Sequence, residues 1–411
     1  MDQPFAHSLS DGSPTTPLGF RAAAVAAGIK QSGRPDLVLV VSDRDCAAAG
    51  VFTSNRVAAA PVLLDRETLA AGRAALRGVI INAGNANACT GAPGLADARE
   101  MQQLAAAAVG ARPPQFLVMS TGVIGVPLPM ERVRTGVAAA APLLSAEGGP
   151  AAAEAIMTTD TRPKRAAVEV ELTGGRVRLG GMAKGAGMIH PNMATLLGLL
   201  TTDAAVAPDD LDALLRDAVA GSFNAISIDG DTSTNDTVLL LANGAAGVAL
   251  SDAESRARFA AALSDLCRQL AQMIVRDGEG ATRVVTLRVT GATSAADARR
   301  AADAIATSPL VKTAFAGGDP NWGRILAATG RSGAMIDPDR LSLWVGAPGA
   351  EPLQLVRAGT PTAFREADAA AVFALPEFIA HVDLALGDGE TTLWTTDLTH
   401  EYVTINADYR T

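Results

Sequence analysis

The hydrophobic positions of this chain recur with two different spacings, one typical of strands and one typical of helices. Short runs rich in Val, Leu, Ile and Phe end near Gly, Asp, Ser or Asn and predict strands. Ala-rich stretches with apolar residues three or four positions apart predict helices. The predicted strands are residues 37–41, 79–82, 116–120, 166–172, 237–242 and 284–290, and the predicted helices are residues 95–109, 130–143, 208–220, 254–275 and 295–306. The alternation indicates a mixed α/β fold.

The C-terminal part carries two further expectations. Residues 378–397 are β-like on both sides of Gly387-Asp388-Gly389, which predicts a hairpin about that turn. The final residues, YVTINADYRT, are expected to run from a β-like segment into a polar end.

Length and composition bound the architecture. A chain of 411 residues exceeds the usual size of one hydrophobic core, so we expect two domains or one large body with a satellite. Hydrophobic residues make up 48% of the chain but aromatic residues only 4%, so the core must consist mainly of Ala, Val, Leu and Ile. Such small side chains favour close packing of helices on sheets.

Charge and cysteine usage exclude several classes of partner. The net charge of −9 and the lack of any Lys/Arg cluster longer than Lys164-Arg165 argue against nucleic acid or an anionic membrane, and favour a small polar metabolite. Cys46, Cys89 and Cys267 indicate neither a disulfide framework nor a zinc site, so we expect no metal and a reducing cytoplasm. The first residues lack the features of a signal peptide, and no apolar run approaches the ~18 residues that span a bilayer.

Common catalytic signatures are missing from the sequence. It contains no G-x-S-x-G, G-x-x-x-x-G-K-[ST], G-x-G-x-x-G or H-E-x-x-H motif. The four histidines, His7, His190, His381 and His400, are too scattered to suggest a metal site or an obvious triad. If this protein is an enzyme, its catalytic base is therefore either not a histidine or a histidine whose role the sequence spacing does not reveal.

The segment 180–203, GGMAKGAGMIHPNMATLLGLLTTD, is the most unusual stretch of the chain. Glycines permit close backbone approach and strained conformations, Lys184 supplies a cation, and an apolar run after the loop predicts a buried strand. Thr195 opens that run. Its spacing alone leaves two interpretations open, a β-branched strand residue or a nucleophile at a strained bond.

Three other segments combine polar residues with turns. FNAISIDGDTSTNDTV, residues 223–238, fits a capped turn or a site but lacks the last Glu of a calcium loop. GGDPNWGRILAATGRSG, residues 317–333, makes a turn in which Trp322 and Arg324 precede a helix expected from Ile325, and either binds an anion or is purely structural. STGVIG, residues 120–125, follows a predicted strand and could present donors to an oxyanion.

Together with further motifs, these segments resemble the ornithine acetyltransferase family, also called bifunctional glutamate N-acetyltransferase/amino-acid acetyltransferase. The resemblance extends over nearly the whole length, from GFRAAAVAAGIK at Gly19 to YVTINADYRT at the end. The other matching motifs are AGVFTSNRVAAAPV at Ala49, NAGNANACTG at Asn82, IMTTDTRPK at Ile156, RDGEGATR at Arg276 and GGDPNWGRILAATG at Gly317.

The resemblance implies a precursor that cleaves itself between Ala194 and Thr195. It therefore implies an α chain of residues 1–194, an oxyanion-hole side, and a β chain of residues 195–411 that begins with the nucleophile. It also implies a two-domain α/β sandwich of mixed sheets and helices built from both chains, and a heterotetramer with two copies of each.

The resemblance also assigns roles to individual residues. Thr195 is expected to be the nucleophile, and Thr121 and Gly122 the oxyanion hole. The residues expected to contact substrate are Thr158, Lys184, Thr195, Glu279, Asn406 and Thr411. No metal or cofactor is implied.

The implied reaction moves acetyl from N²-acetylornithine to glutamate through an acetyl-Thr195 ester, with acetyl-CoA as a second candidate donor. Cleavage would free an α-amine with an unperturbed pKa of ~7.7–8.0, which can serve as the base in place of histidine. The remaining alternatives are a self-processing amidase or aminopeptidase, an acetyltransferase of secondary metabolism with another amine acceptor, and a non-catalytic amino-acid-binding protein.

Overall fold

The computed structural model describes residues 6–190 and 196–408. In chain order the strands are β1 Ala6–Ser8, β2 Phe20–Val25, β3 Leu37–Phe52, β4 Leu76–Asn85, β5 Phe116–Val123, β6 Lys164–Leu172, β7 Gly175–Lys184, β8 Leu197–Thr202, β9 Ile226–Ser227, β10 Thr237–Ala242, β11 Val284–Ala292, β12 Ser342–Gly346, β13 Leu353–Arg357, β14 Thr360–Pro361, β15 Glu377–Asp383 and β16 Gly389–Thr396. The helices are α1 Ala60–Ala71, α2 Gly91–Ala108, α3 Met130–Ala140, α4 Gly149–Ala155, α5 Pro208–Ala220, α6 Ala253–Arg276, α7 Ala295–Ala306, α8 Pro309–Gly317, α9 Trp322–Gly330, α10 Glu366–Phe373 and α11 His400–Asp408. The predicted mixed α/β class is confirmed.

The first sheet has strand order β1-β6-β7-β8-β10-β3-β4-β5, with β2 also paired to β3. The antiparallel neighbours β7 and β8 lie on either side of the undescribed residues 191–195. β8 in turn pairs in parallel with β10, and β10 pairs antiparallel with β3. Strands from both sides of position 195 thus share one hydrogen-bonded sheet.

A change of direction within β3 folds this sheet over on itself. Its first half pairs with β4, its second half pairs with β10, and the register with β4 shifts between Val41 and Cys46. A buried cluster lies between the two halves and joins β3, β4 and β5 to β7, β8 and β10. A second cluster covers the outer face of β6–β8 with α5 and α6, and a third covers the outer face of β3–β5 with α1–α3. The result is four layers in the order helix, sheet, sheet, helix.

The helices on the outer faces are amphipathic, as their spacing predicts. In α5 the buried residues Leu211, Leu214, Leu215 and Val219 form one stripe, and the helix packs on β3. No helix within the described ranges is long and apolar enough to cross a membrane.

The second sheet has strand order β14-β13-β12-β15-β11-β16-β9. It has its own buried core, which the helices α7 to α10 cover. The predicted hairpin at residues 378–397 is wrong, because β15 and β16 flank β11 and pair with it, one in parallel and one antiparallel. Local turn residues at Gly387-Asp388-Gly389 do not decide pairing when a third strand can insert between the two.

The β-like interpretation of the C-terminal segment is also wrong. Residues 400–408 form the helix α11, in which no side chain is fully buried. The β-branched residues Val403, Thr404 and Ile405 suggested a strand, but β propensity depends strongly on context. The helix contacts the rest of the protein through hydrogen bonds from Asn406 to Glu279 and from Tyr402 to Asp229.

Candidate active site

A small cavity of about 140 Å³ opens where the C-terminal ends of β5 and β7 meet. Six of the residues expected to act on substrate line it together: Thr121, Gly122, Thr158, Lys184, Glu279 and Asn406. These residues come from five separate parts of the chain. The other three expected residues, Ala194, Thr195 and Thr411, lie outside the described residues.

The end of β5 requires glycine at position 122. Gly122 has φ +130°, and a Cβ there would lie 2.3 Å from the carbonyl carbon of Gly84 on β4. The β4–β5 ladder becomes irregular at Asn85, directly after the Gly84–Gly122 pair. Thr121 and Gly122 thus line the cavity at the point where the ladder between β4 and β5 becomes irregular.

Lys184 ends β7 with its side chain buried against the cavity. Its Nζ lies 3.3 Å from Thr121 Oγ1 and 4.0 Å from Asp160 Oδ2. Burial lowers the pKa of Lys184, while the charge of Asp160 opposes that shift. A cation in this position can stabilise a substrate carboxylate or a developing oxyanion beside Thr121.

Asp160 organises the floor of the cavity, although the sequence motif IMTTDTRPK did not single it out. Its Oδ2 accepts a hydrogen bond from Thr158 N at 2.9 Å, and its Oδ1 accepts from Gly185 N at 2.7 Å and from Lys164 Nζ at 2.6 Å. Burial alone would raise the pKa of Asp160, but the charges of Lys184 and Lys164 hold it below its usual range. One carboxylate thus positions both Thr158 and the residue after Lys184.

Glu279 and Asn406 form the opposite wall. Asn406 Nδ2 donates to Glu279 Oε2 at 2.8 Å, and Glu279 N donates to Ala186 O at 2.8 Å. The nearest atom that a Cβ on Gly187 would meet is Glu279 Oε2, at 2.3 Å. The glycine-rich loop after β7 therefore lets the Glu279 carboxylate approach its backbone closely.

Asp229 holds the chain just before the predicted cleavage point. Its carboxylate accepts hydrogen bonds from the backbone amides of Met188 and Ile189 and from Tyr402 Oη. Burial raises the pKa of Asp229 to about 6. His190 follows, with Nδ1 3.1 Å from Ser227 Oγ, and burial lowers its pKa. These contacts fix residues 188–190 relative to the cavity.

A larger cleft of about 1170 Å³ adjoins the small cavity, and Thr158 lines both. Apolar residues such as Val123, Val126 and Met157 lie beside the cations Lys30, Arg34 and Arg132. Lys30 Nζ donates to the carbonyl oxygens of Pro35 and Ala155, and burial lowers the pKa of Lys30 to about 8.

The GGDPNWGR segment lies elsewhere. Its helix, α9, begins at Trp322 rather than at Ile325, and Asn321 Oδ1 accepts from Arg324 N at 3.3 Å. Neither Trp322 nor Arg324 is among the residues that line the two cavities. The possible anion site at this turn is therefore already capped by the chain's own side chain.

Comparison with known proteins adds independent information. A sequence profile of the ArgJ family matches residues 21–411. The "Arginine biosynthesis bifunctional protein ArgJ" of Symbiobacterium thermophilum is 54% identical over 405 residues, covering 97% of this chain and 99% of that protein. The protein of the same name from Geobacter sulfurreducens is 51% identical over 399 residues, covering 96% of this chain and 99% of that one.

One solved structure, an ornithine acetyltransferase from Mycobacterium tuberculosis complexed with ornithine, is 46% identical, with a TM-score of 0.43 over 46% of this chain and 99% of that chain. With about half of all positions identical to curated relatives over nearly their full length, and with the family profile matched from residue 21 to the last residue, this protein belongs to the ArgJ family of arginine-biosynthesis enzymes.

Proposed function

We propose that this protein transfers an acetyl group from N²-acetyl-L-ornithine to L-glutamate, giving L-ornithine and N-acetyl-L-glutamate, through an ester on Thr195. One observation carries the proposal. The six described residues that family resemblance assigns to the reaction all line one cavity, together with Gly187 and Met188 of the loop that leads to residues 191–195. Membership of the ArgJ family supports the same reaction.

The first step of the proposal is self-cleavage. Thr195 Oγ attacks the carbonyl carbon of Ala194, and an ester replaces the Ala194–Thr195 peptide bond. Water then hydrolyses the ester and leaves an Ala194 carboxylate and a Thr195 with a free hydroxyl and α-amine. The products are an α chain of residues 1–194 and a β chain of residues 195–411. The amine serves as the base of the second step.

In the transfer step the α-amine takes the proton of Thr195 Oγ as the oxygen attacks the acetyl carbonyl. The bond between the acetyl carbon and the ornithine nitrogen breaks, and ornithine leaves with that proton on its amine. The amine of glutamate then attacks the ester, and the hydroxyl of Thr195 is restored. Thr121 and Gly122 would stabilise the oxyanion of each addition.

Ornithine and glutamate occupy the same cavity one after the other, so the cavity needs side chains whose charges complement those of both substrates. Lys184 is suited to the carboxylate that both substrates carry, and Glu279 to the cationic side chain of ornithine. Thr158 and Asn406 add hydrogen-bonding groups at the two walls. We assign Thr411 to the same substrate contacts by family resemblance.

The mature enzyme is proposed to be a cytoplasmic heterotetramer of two α and two β chains, and unpaired Cys46, Cys89 and Cys267 suit a reducing compartment.

Mass spectrometry and a transfer assay test the proposal together. Purified wild-type protein should give fragments 1–194 and 195–411, and incubation with N-acetylornithine should add one acetyl group to the second fragment. Thr195→Ala should remain one chain and transfer nothing, whereas Thr392→Ala, on an exposed strand position, should behave like wild type. Cleavage of the Thr195→Ala variant at the same bond would refute the mechanism.

The same assays separate the alternative functions. Hydrolysis of amides or peptides without transfer would identify a self-processing amidase or aminopeptidase. Transfer to an amine other than glutamate would identify an acetyltransferase of secondary metabolism. An uncut chain that binds amino acids without turnover would identify a binding protein.

The larger cleft favours acetyl-CoA as a second donor. Its three cations suit phosphate groups, its apolar lining suits an extended thioester arm, and its shared wall at Thr158 leads to the small cavity. Glutamate acetylation should then proceed from acetyl-CoA alone. Arg34→Gln should raise KM for acetyl-CoA and leave KM for N-acetylornithine unchanged, and equal effects on both donors would contradict this assignment.

A further inference from the structure

Asn235 and Asp236 lie side by side in the loop before β10 and carry no role in the reaction described above. We propose that they are positioning residues, which together fix the end of the oxyanion-hole strand β5 relative to Leu196, the residue that follows Thr195. This inference rests on the proposed function. We refer to the two residues as the Asn235–Asp236 clamp.

Asn235 holds the oxyanion side. Its Nδ2 donates to Ser120 O at 2.9 Å and to Ala86 O at 2.6 Å, and its own Oδ1 accepts from Thr234 Oγ1 at 2.6 Å. Ser120 O belongs to the peptide group whose N–H is that of Thr121. Because the peptide group is planar, fixing the carbonyl of Ser120 also fixes the direction of the Thr121 N–H.

Asp236 holds the nucleophile side. Its Oδ1 accepts from Leu196 N at 3.0 Å, and Leu196 O accepts from Thr237 N at 3.1 Å. Both backbone polar groups of Leu196 are thereby held, and Leu196 is the next residue after Thr195 in the sequence. Asp236 is anchored in turn, because its backbone oxygen accepts from Thr53 N at 2.9 Å.

The sheet alone does not provide this alignment. β5 and β8 are separated by β10, β3 and β4 in the strand order, so no ladder of hydrogen bonds joins them directly. Small changes in twist along three intervening strands would shift the two ends relative to each other. Asn235 and Asp236 are adjacent in one loop, and one contacts the end of β5 while the other contacts Leu196 before β8. Because the two contacts come from neighbouring residues, such a shift has little freedom.

The chemistry of the two side chains makes a sharp test. Among the described residues Asp236 Oδ2 is buried without a hydrogen-bond partner, and burial raises the pKa of Asp236 well above its usual range. Asp236→Asn keeps both its shape and the oxygen that accepts from Leu196. Asn235→Asp keeps the shape but replaces the NH₂ that donates to Ser120 and Ala86 with an acceptor.

These two nearly isosteric exchanges should therefore have opposite outcomes in the full-length protein. Asn235→Asp and Asp236→Ala should slow self-cleavage and lower kcat by about 10²-fold, as expected when reacting groups are misplaced by about 1 Å, with KM changed by less than about threefold. Asp236→Asn should retain kcat within about tenfold of wild type, because the acceptor for Leu196 remains.

Asn243→Asp is the matched control. Asn243 is also a buried asparagine that donates to a backbone oxygen, Leu18 O at 2.8 Å, but it lies at the far end of β10. This variant should lose thermal stability and keep its cleavage rate and kcat. If Asn235→Asp cleaves and turns over like wild type, or if Asp236→Asn is as defective as Asp236→Ala, the clamp is refuted. A rise in KM alone would also refute it, since a substrate contact rather than positioning would then be lost.

Measurements on the wild-type protein in the same series test the proposed function separately from the clamp. A wild-type protein that neither cleaves nor transfers acetyl overturns the proposed function and the clamp with it. An active wild type with insensitive Asn235 and Asp236 variants overturns the clamp alone.

Discussion

Asn406 Nδ2 lies 2.8 Å from Glu279 Oε2, and this hydrogen bond joins the C-terminal helix α11 to the wall of the small cavity. No side chain of α11 is fully buried, so the helix depends on a few polar contacts such as this one and the bond from Tyr402 Oη to Asp229. The charge of Glu279 therefore matters both for the proposed substrate and for the placement of the helix.

Replacing Glu279 with Gln should weaken the binding of the acetyl donor, N-acetylornithine, more than the binding of the acetyl acceptor, glutamate. A hydrogen bond to a charged group contributes about 1.5–3 kcal/mol, so KM for N-acetylornithine should rise roughly 10–100-fold. KM for glutamate, which has no cationic side chain, should change much less. Two-substrate initial-rate measurements test this, with Glu366→Gln on an exposed helix end as the control. Equal changes in both KM values would contradict the assigned role.

Thr121 should affect cleavage and transfer alike, because in the proposed mechanism both reactions pass through an oxyanion at the same place. Loss of one oxyanion donor typically costs about 10²–10³-fold in rate. Thr121→Val should show this loss in kcat and in the rate of chain cleavage, whereas Thr121→Ser keeps the hydroxyl beside Lys184 Nζ and should lose far less. Single-turnover rates and timed mass spectra measure the two steps. A Val variant that cleaves normally would exclude the Thr121 hydroxyl from the first step.

Lys164 should be important for stability. Its Nζ lies 2.6 Å from Asp160 Oδ1 and 2.6 Å from Asp277 Oδ2, and all three side chains are buried. Lys164→Met would remove the cation closest to both carboxylates, leaving Asp160 with the more distant Lys184, and should lower the free energy of unfolding by about 3–5 kcal/mol. Denaturant titration measures the loss.

The pair of exposed Arg176 and partly buried Glu169, 3.5 Å apart, is the control for Lys164. Arg176→Met should cost less than about 1 kcal/mol, because solvent screens that pair. Similar losses for the two variants would show that burial does not set the strength of the Lys164 interactions.

Lys312 should make the free energy of unfolding change with pH in the alkaline range. It is buried, and its Nζ donates to Thr395 Oγ1 at 3.3 Å and to Thr396 Oγ1 at 3.2 Å. Burial lowers its pKa to about 8, against the opposing charges of Asp397 and Asp229, while the unfolded chain keeps the usual value of 10.5. Between these two values the unfolded state binds more protons than the folded state, so folding becomes more favourable as pH rises.

The difference in free energy of unfolding between wild type and Lys312→Met isolates this effect. The wild type should gain stability relative to the variant from pH 8 towards 10.5, and the difference should be constant below about pH 7. Denaturant titrations across this range measure it. A difference that falls as pH rises would contradict a lowered pKa.

Local sequence patterns were sufficient for the elements whose burial is periodic. Helices α5 and α7 and strand β10 have the bounds that the apolar spacing predicts. The same local signals were insufficient for strand pairing. β11 lies between β15 and β16, although a turn sequence joins those two strands, and β3 continues through a bend to Phe52, although its apolar run ends near Val41.

The amino-acid sequence by itself determined the α/β class, most of the periodic helices and strands, and, through motifs shared with a family, the residues expected to react. Tertiary structure decided which of those residues meet. Thr121, Lys184 and Glu279 lie far apart in the chain but line one cavity. The bend in β3 folds the first sheet into the two layers that carry Thr121 and Lys184. Asp160 and the Asn235–Asp236 clamp were recognisable only there, since a buried hydrogen bond between distant segments has no spacing in the sequence from which to predict it.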